Sequence, residues 1–200
     1  SRKLCEAFEK IINKKEISTN TIIRHLFQRY LFNNLINKDY VLEVGPGSGY
    51  LSLLLSLDGK SVISTDVTQS LYLYQNFLFN LFEVNLEGLY NEEVEQELGK
   101  VSHLPWWVYK NLEFRIDKLD CIIVNHAICE MHGIAVDHML HLARSLNCKN
   151  IFLSGWGLSF NPNKIAGMHT REQIIHKFFE YGYVLKYNNL GASIFEFDAK

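Results

Sequence analysis

No stretch of the chain has the roughly 18 consecutive apolar residues that a membrane-spanning helix needs, and the N-terminus carries no signal-peptide pattern. Cysteine is scarce. Cys5, Cys121, Cys129 and Cys148 form no C-x-x-C pair, which removes the usual dithiol and zinc motifs. Two of the four fall in or beside an apolar run that reads as a core strand, so buried free thiols in a reducing, cytoplasmic compartment are expected. Excess charge of one sign is also lacking. Twenty Lys and Arg against 22 Asp and Glu leave a net charge of -2, without the basic stripe that nucleic acid attracts. A small molecule is the expected partner, rather than a nucleic acid or a membrane. The chain opens on Ser1 instead of Met, as expected of a processed chain or one cut from a longer protein.

What is present is enough apolar material, 48% of 200 residues, for one domain with a sizeable core. Its organising stretch is Val41-Leu-Glu-Val-Gly-Pro-Gly-Ser-Gly-Tyr50, an apolar strand running into three alternating glycines and then a leucine-rich helix. Glycines reach backbone angles closed to other residues and carry no side chain, so a ligand can lie against the backbone and the helix N-terminus there. The spacing is G-x-G-x-G. A dinucleotide fingerprint would place its third glycine at Tyr50, which weighs against a nicotinamide or flavin enzyme. Glu43, two residues before the first glycine, is an acid in an apolar strand and calls for a cationic or hydrogen-bonding partner. Downstream, Ser61-Val-Ile-Ser-Thr65 reads as a short strand ending in Asp66, the position from which an acid reaches ribose hydroxyls.

These residues carry a family resemblance. Glu43-Val-Gly-Pro-Gly-Ser-Gly49 resembles the E/D-x-G-x-G-x-G first motif of class I S-adenosylmethionine-dependent methyltransferases, and the likeness extends over roughly residues 40–197. It implies a doubly wound, mostly parallel α/β sheet of seven strands with helices on both faces and a C-terminal antiparallel hairpin, preceded by N-terminal helices. Residues 1–38 would form the helical extension and 39–200 the methyltransferase domain. It further implies S-adenosylmethionine as cofactor, held by Glu43, Gly45, Gly47, Gly49, Asp66 and Asn125. A looser likeness to bacterial sugar O-methyltransferases rests on a strand ending in Asn followed by a Glu-Met pattern, on Pro-Trp-Trp and on Tyr-Leu-Tyr-Gln.

The strand Leu119-Asp-Cys-Ile-Ile-Val-Asn125 is a continuous apolar run suited to a central parallel position, and it ends at Asn125-His-Ala-Ile-Cys-Glu-Met-His132. In an open parallel sheet this cluster sits beside the glycine turn, where ligands bind. It lacks the N-P-P-Y or D-P-P-Y that marks methylation of adenine or glutamine nitrogen. Methyl transfer to a hydroxyl needs the nucleophile oriented and its proton removed, so His126 is the first choice for the base. Glu130 and His132 are partners or alternatives, and Asn125 is a positioner. The usual third-motif Asp is missing; instead Trp106 or Trp107 is expected on the cofactor or at the substrate mouth, and Trp156 on a substrate ring. His138 and His141 read as surface or packing residues, with no metal expected.

The remaining elements follow the periodicity. Leu4, Phe8 and Ile11 or Ile12 predict a short helix; Ser18-Thr-Asn20 offers caps for a longer one whose Ile22, Ile23, Leu26, Phe27, Tyr30, Leu31 and Leu35 make one apolar face. Gln69 to Phe82 predicts a largely buried helix. Residues 160–167 form a long loop of the kind that covers substrate. Two strands around Asn188 to Gly191 predict the closing hairpin, which dehydrogenases normally lack. The expected activity is methylation of a hydroxyl on a small polar molecule, sugars included; the alternative is a non-catalytic nucleoside-binding module of a larger protein.

Overall fold

A computed structural model describes residues 19–82, 96–128, 130–155, 169–189 and 191–198. The first predicted helix, Cys5, Cys129, Trp156 and the predicted 160–167 loop lie outside these residues. In chain order the described elements are α1 (Thr19–Leu35), β1 (Tyr40–Val44), α2 (Tyr50–Leu57), β2 (Ser61–Asp66), α3 (Gln69–Leu81), β3 (Val101–Pro105), a short α4 (Trp106–Tyr109) with a 3-10 turn at Leu112–Phe114, β4 (Cys121–Asn125), α5 (Gly133–Ser145), β5 (Asn150–Ser154), α6 (Arg171–Glu180), β6 (Tyr183–Asn189) and β7 (Ala192–Phe197).

The seven strands form one sheet in the order β3-β2-β1-β4-β5-β7-β6. β1 to β5 pair in parallel, and β7 runs antiparallel to both of its neighbours. The central strands are buried on both faces, which is why they read as unbroken apolar runs. Successive residues alternate between the two sides. Val41, Cys121, Ile123 and Phe152 pack with Phe32 of α1, Leu51 of α2 and Phe79 of α3, whereas Leu42, Ile122, Val124 and Leu153 pack with Met139 of α5 and Phe178 of α6. Cys121 and Cys148 are buried free thiols. Among the described residues no helix is long and apolar enough to cross a membrane.

Two helices face differently from their hydrophobic pattern. In α1 the buried positions are Ile22, His25, Gln28, Leu31 and Phe32, while Ile23, Phe27 and Tyr30, expected on the apolar face, are exposed. The helix is turned because Arg29 forks onto Asp58 at the end of α2, its Nε donating to Oδ2 at 2.6 Å, and because Gln28 finds partners on β4 and β5. α3 is also only half covered. Gln75, Leu78 and Phe79 face the core, but Leu73, Phe77 and Leu81 are exposed, since Gln75 is drawn to the glycine turn.

Candidate active site

The chain reverses its order across the sheet between β1 and β4, and that is where a crevice opens beyond the strand ends. A cavity of about 520 Å³ lies there. One wall is the glycine turn. Gly45, Gly47 and Gly49 all have positive φ, at 68°, 59° and 77°, which lets the chain leave β1 and enter α2 within a few residues. The neighbours differ. A Cβ on Gly45 would meet that of Ala127 at 2.7 Å, and one on Gly49 would meet Gln75 at 2.9 Å, whereas nothing lies within 4 Å of the corresponding position on Gly47. Gly47 is thus the open point of the turn, and with Gly45 it lines the cavity; Gly49 instead closes the packing behind it.

Gln75 fixes the turn to the end of β2. Its Nε2 donates to the Gly47 carbonyl at 2.6 Å and to Asp66 Oδ2 at 3.2 Å, while Asp66 Oδ1 accepts the Thr68 N–H at 2.8 Å. Asp66 lines the cavity next to Val67, Leu71 and Trp106, so a carboxylate borders an apolar wall. Trp106 and Trp107 open α4. Trp106 reaches the cavity with Lys110 over its ring at 4.7 Å; Trp107 packs edge-on against Trp106 and is itself 59% exposed, away from the lining. Glu43 is fully buried beneath the turn and does not reach the cavity. Its partner is the Ser52 hydroxyl, which donates to one carboxyl oxygen; the other oxygen has none. Burial pushes this carboxyl up to about 7, against the Ser52 hydrogen bond.

The opposite wall is the end of β4. Asn125 is nearly buried, and its amide is paired with that of Gln28: Gln28 Nε2 donates to Asn125 Oδ1 at 2.7 Å, and Asn125 Nδ2 returns a bond to Gln28 Oε1 at 2.9 Å. Ser154 adds its hydroxyl to Asn125 Oδ1 at 3.0 Å. The side chain that was expected to hold cofactor is therefore committed to bracing α1 against β4 and β5, although the residue still borders the cavity. His126 follows with a φ of 59°, costly for a residue with a Cβ and a mark of a position held by its surroundings. Its N–H donates to the Ser154 carbonyl at 2.9 Å, and its ring lies over Gly155, where any Cβ would come within 1.9 Å of the ring. Nε2 stands 3.4 Å from Arg24 Nη1. Burial, then Arg24, lower the pKa of this imidazole, while a hydrogen bond with the Gly155 backbone and Glu130 act against them. His126 is consequently neutral at neutral pH, as a proton acceptor must be.

Glu130 and His132 line the same cavity. His132 also caps α5, its Nδ1 accepting the Ile134 N–H at 3.3 Å, so that nitrogen is occupied by the helix end. The cavity thus gathers Gly45, Gly47, Asp66, Trp106, Asn125, His126, Glu130 and His132, and leaves out Glu43, Gly49 and Trp107. Among the described residues no group of three His, Cys, Asp or Glu is arranged for a metal ion. Sequence reasoning missed Arg24, His25, Gln28, Gln75 and Tyr109. His25 and Gln28 had one signal: Ile22, His25, Gln28 and Phe32 form a helical stripe in which polar residues take core positions.

No protein-family model matches the chain. Solved structures do resemble it. Magnesium protoporphyrin IX methyltransferase (ChlM) from Synechocystis PCC 6803, crystallised with S-adenosylhomocysteine, superposes with a TM-score of 0.59 at 15% identity, over 96% of this chain and 92% of its own. The O-methyltransferase from Bacillus cereus, in complex with the same compound, gives 0.58 at 12% identity, over 98% and 91%. The N-terminal domain of EvdMO1, in the presence of S-adenosylhomocysteine and D-fucose, gives 0.56 at 11% identity, over 86% and 79%. The chain therefore has the Rossmann-like fold of S-adenosylmethionine-dependent methyltransferases.

Proposed function

We propose that the chain is a methyltransferase that uses S-adenosylmethionine to methylate a hydroxyl of a small polar molecule, a sugar being the favoured acceptor. The observation that carries this reading is one cavity joining the open Gly47, the carboxylate of Asp66 with an apolar wall, and a neutral histidine at the far strand end. The donor set suits the cofactor. Asp66 is spent on only two hydrogen bonds among the described residues and can accept from a ribose diol; Val67, Leu71 and Trp106 offer a purine an apolar surface; and Gly47 leaves room for the methionine portion. Neighbours of the same fold are known with S-adenosylhomocysteine bound, and one in the presence of a sugar, D-fucose, which supports both the cofactor and the acceptor class.

When bound, S-adenosylmethionine supplies a methyl group on a sulfonium, whose neutral leaving group needs no acid. The residues of the chain have the acceptor to manage. His126 takes the proton of the acceptor hydroxyl. Asn125, clamped by Gln28 and Ser154, fixes the backbone that presents His126, and Gly155 leaves the space for its ring. Glu130 lines the same cavity, and its charge favours the protonated form of the imidazole as the proton arrives. Transfer of labelled methyl from S-adenosylmethionine to a panel of sugars tests the reading. His126→Ala is expected to lower turnover about 10²-fold or more with cofactor affinity kept, the size usual for general-base removal. Turnover in the wild type should rise with pH through a pKa below 6.5 and level off near neutrality, because only the unprotonated ring accepts. An unchanged rate in the variant would move the base elsewhere.

A further inference from the structure

α1 brings a cationic group up to His126, where the end of β4 borders the cavity. Arg24 is exposed and stands against His126, with Nη1 3.4 Å from Nε2. Its charge lowers the pKa of both His126 and the buried His25 next to it. The contrast with Arg29, five residues on, is instructive: Arg29 is forked by Asp58, whereas Arg24 meets no carboxylate among the described residues. Glu130 is the acid that acts on His126, and Ser48 Oγ lies 3.4 Å from His25 Nε2. A guanidinium held beside two neutral imidazoles, one of them lining the cavity, and facing no carboxylate among the described residues is a positive charge that an anion can pair with. Its planar fork matches a carboxylate or a phosphate, each contact being a charge-assisted hydrogen bond.

We propose that Arg24 is the anion-holding residue of the acceptor site, so that the acceptor carries a carboxylate or phosphate a few bonds from the hydroxyl presented to His126. A sugar acid, a sugar phosphate or a 2-hydroxy acid has this chemistry. The proposal rests on the reading of His126 as the base and names the class of molecule that site takes. A neutral sugar of the same size satisfies the hydroxyl contact and leaves Arg24 unpaired.

The test uses the full chain, with and without saturating S-adenosylhomocysteine, titrated with glucuronate, glucose 6-phosphate, inorganic phosphate and neutral glucose. Binding is followed by calorimetry and by the NMR titration of the His126 ring. At least one anion is expected to bind about tenfold or more tighter than glucose and to raise the His126 pKa, a bound negative charge favouring the imidazolium. The preference should vanish in Arg24→Gln, a change at an exposed side chain, and be partly restored in Arg24→Lys. Glucuronate against glucose 6-phosphate decides between the two anions. Equal binding of charged and neutral sugars, no binding of any anion, or a preference that survives in Arg24→Gln would overturn the proposal. Failure of S-adenosylhomocysteine to bind while the anion preference persists counts against the methyltransferase reading and leaves Arg24 in its role.

Discussion

Glu43 shows how a single buried group ties the glycine turn to pH. An unfolded glutamate releases its proton near 4.5, whereas the folded one, buried beneath the turn, keeps it up to about 7. The native state therefore binds the extra proton between these values. The stability this group contributes is fully present below pH 4.5 and is lost as pH rises through 7, a swing of ~3 kcal/mol at most. His25, lowered to about 4 by burial and Arg24, and His103, lowered to about 3 by burial, act in the opposite sense; their contribution is present above 6.5 and lost as pH falls. Glu43→Gln separates the two. The urea-unfolding free energy of the variant, relative to wild type, should climb between pH 4.5 and 7.5, and a flat difference would show that Glu43 ionises freely. The acid itself was plain in the sequence, as was its need for a partner. That the partner is Ser52, one turn into the following helix, depends on how the glycine turn folds α2 back along β1.

The elements divide by how much of their placement is local. β1, β2, β4 and β5 could be read directly, because a strand buried on both faces leaves a short apolar run and nothing else fits its length. The glycine turn was legible for a similar reason, its backbone angles requiring that residue type. α1 and α3 were legible as helices but not in their rotation. Each carries apolar residues on more than one side, so periodicity offers competing stripes, and the choice is made by polar contacts with residues far away in the chain. Gln28 meets Asn125 97 positions away and Ser154 126 positions away. The contact has energetic weight: Gln28→Ala leaves the amide of Asn125 buried without its main partner, and should cost ~1–3 kcal/mol in urea unfolding. Turnover should fall with it, since His126 hangs from the same strand end. A variant as stable as wild type would mean that α1 is held by the Arg29–Asp58 ion pair and its apolar contacts alone. The segment set apart in the sequence as a helical extension thus carries a residue that braces the strand ends behind the site.

At the scale of the whole molecule, one reversal of strand order creates the crevice, and the glycine turn, Asp66 and His126 are the ends of three adjacent strands facing it. The antiparallel β6–β7 hairpin closes the sheet on the far side of β5. Everything proposed for the chain depends on the crevice receiving the nucleoside of S-adenosylmethionine. Calorimetric titration with S-adenosylhomocysteine, with NAD as control and Asp66→Ala alongside, addresses that point before any acceptor is known. Micromolar binding of S-adenosylhomocysteine, no binding of NAD, and a loss of about tenfold or more in Asp66→Ala are expected, the last reflecting hydrogen bonds to a charged group. Absence of S-adenosylhomocysteine binding, or an affinity that Asp66→Ala leaves unchanged, would contradict the assignment of this cavity to the cofactor.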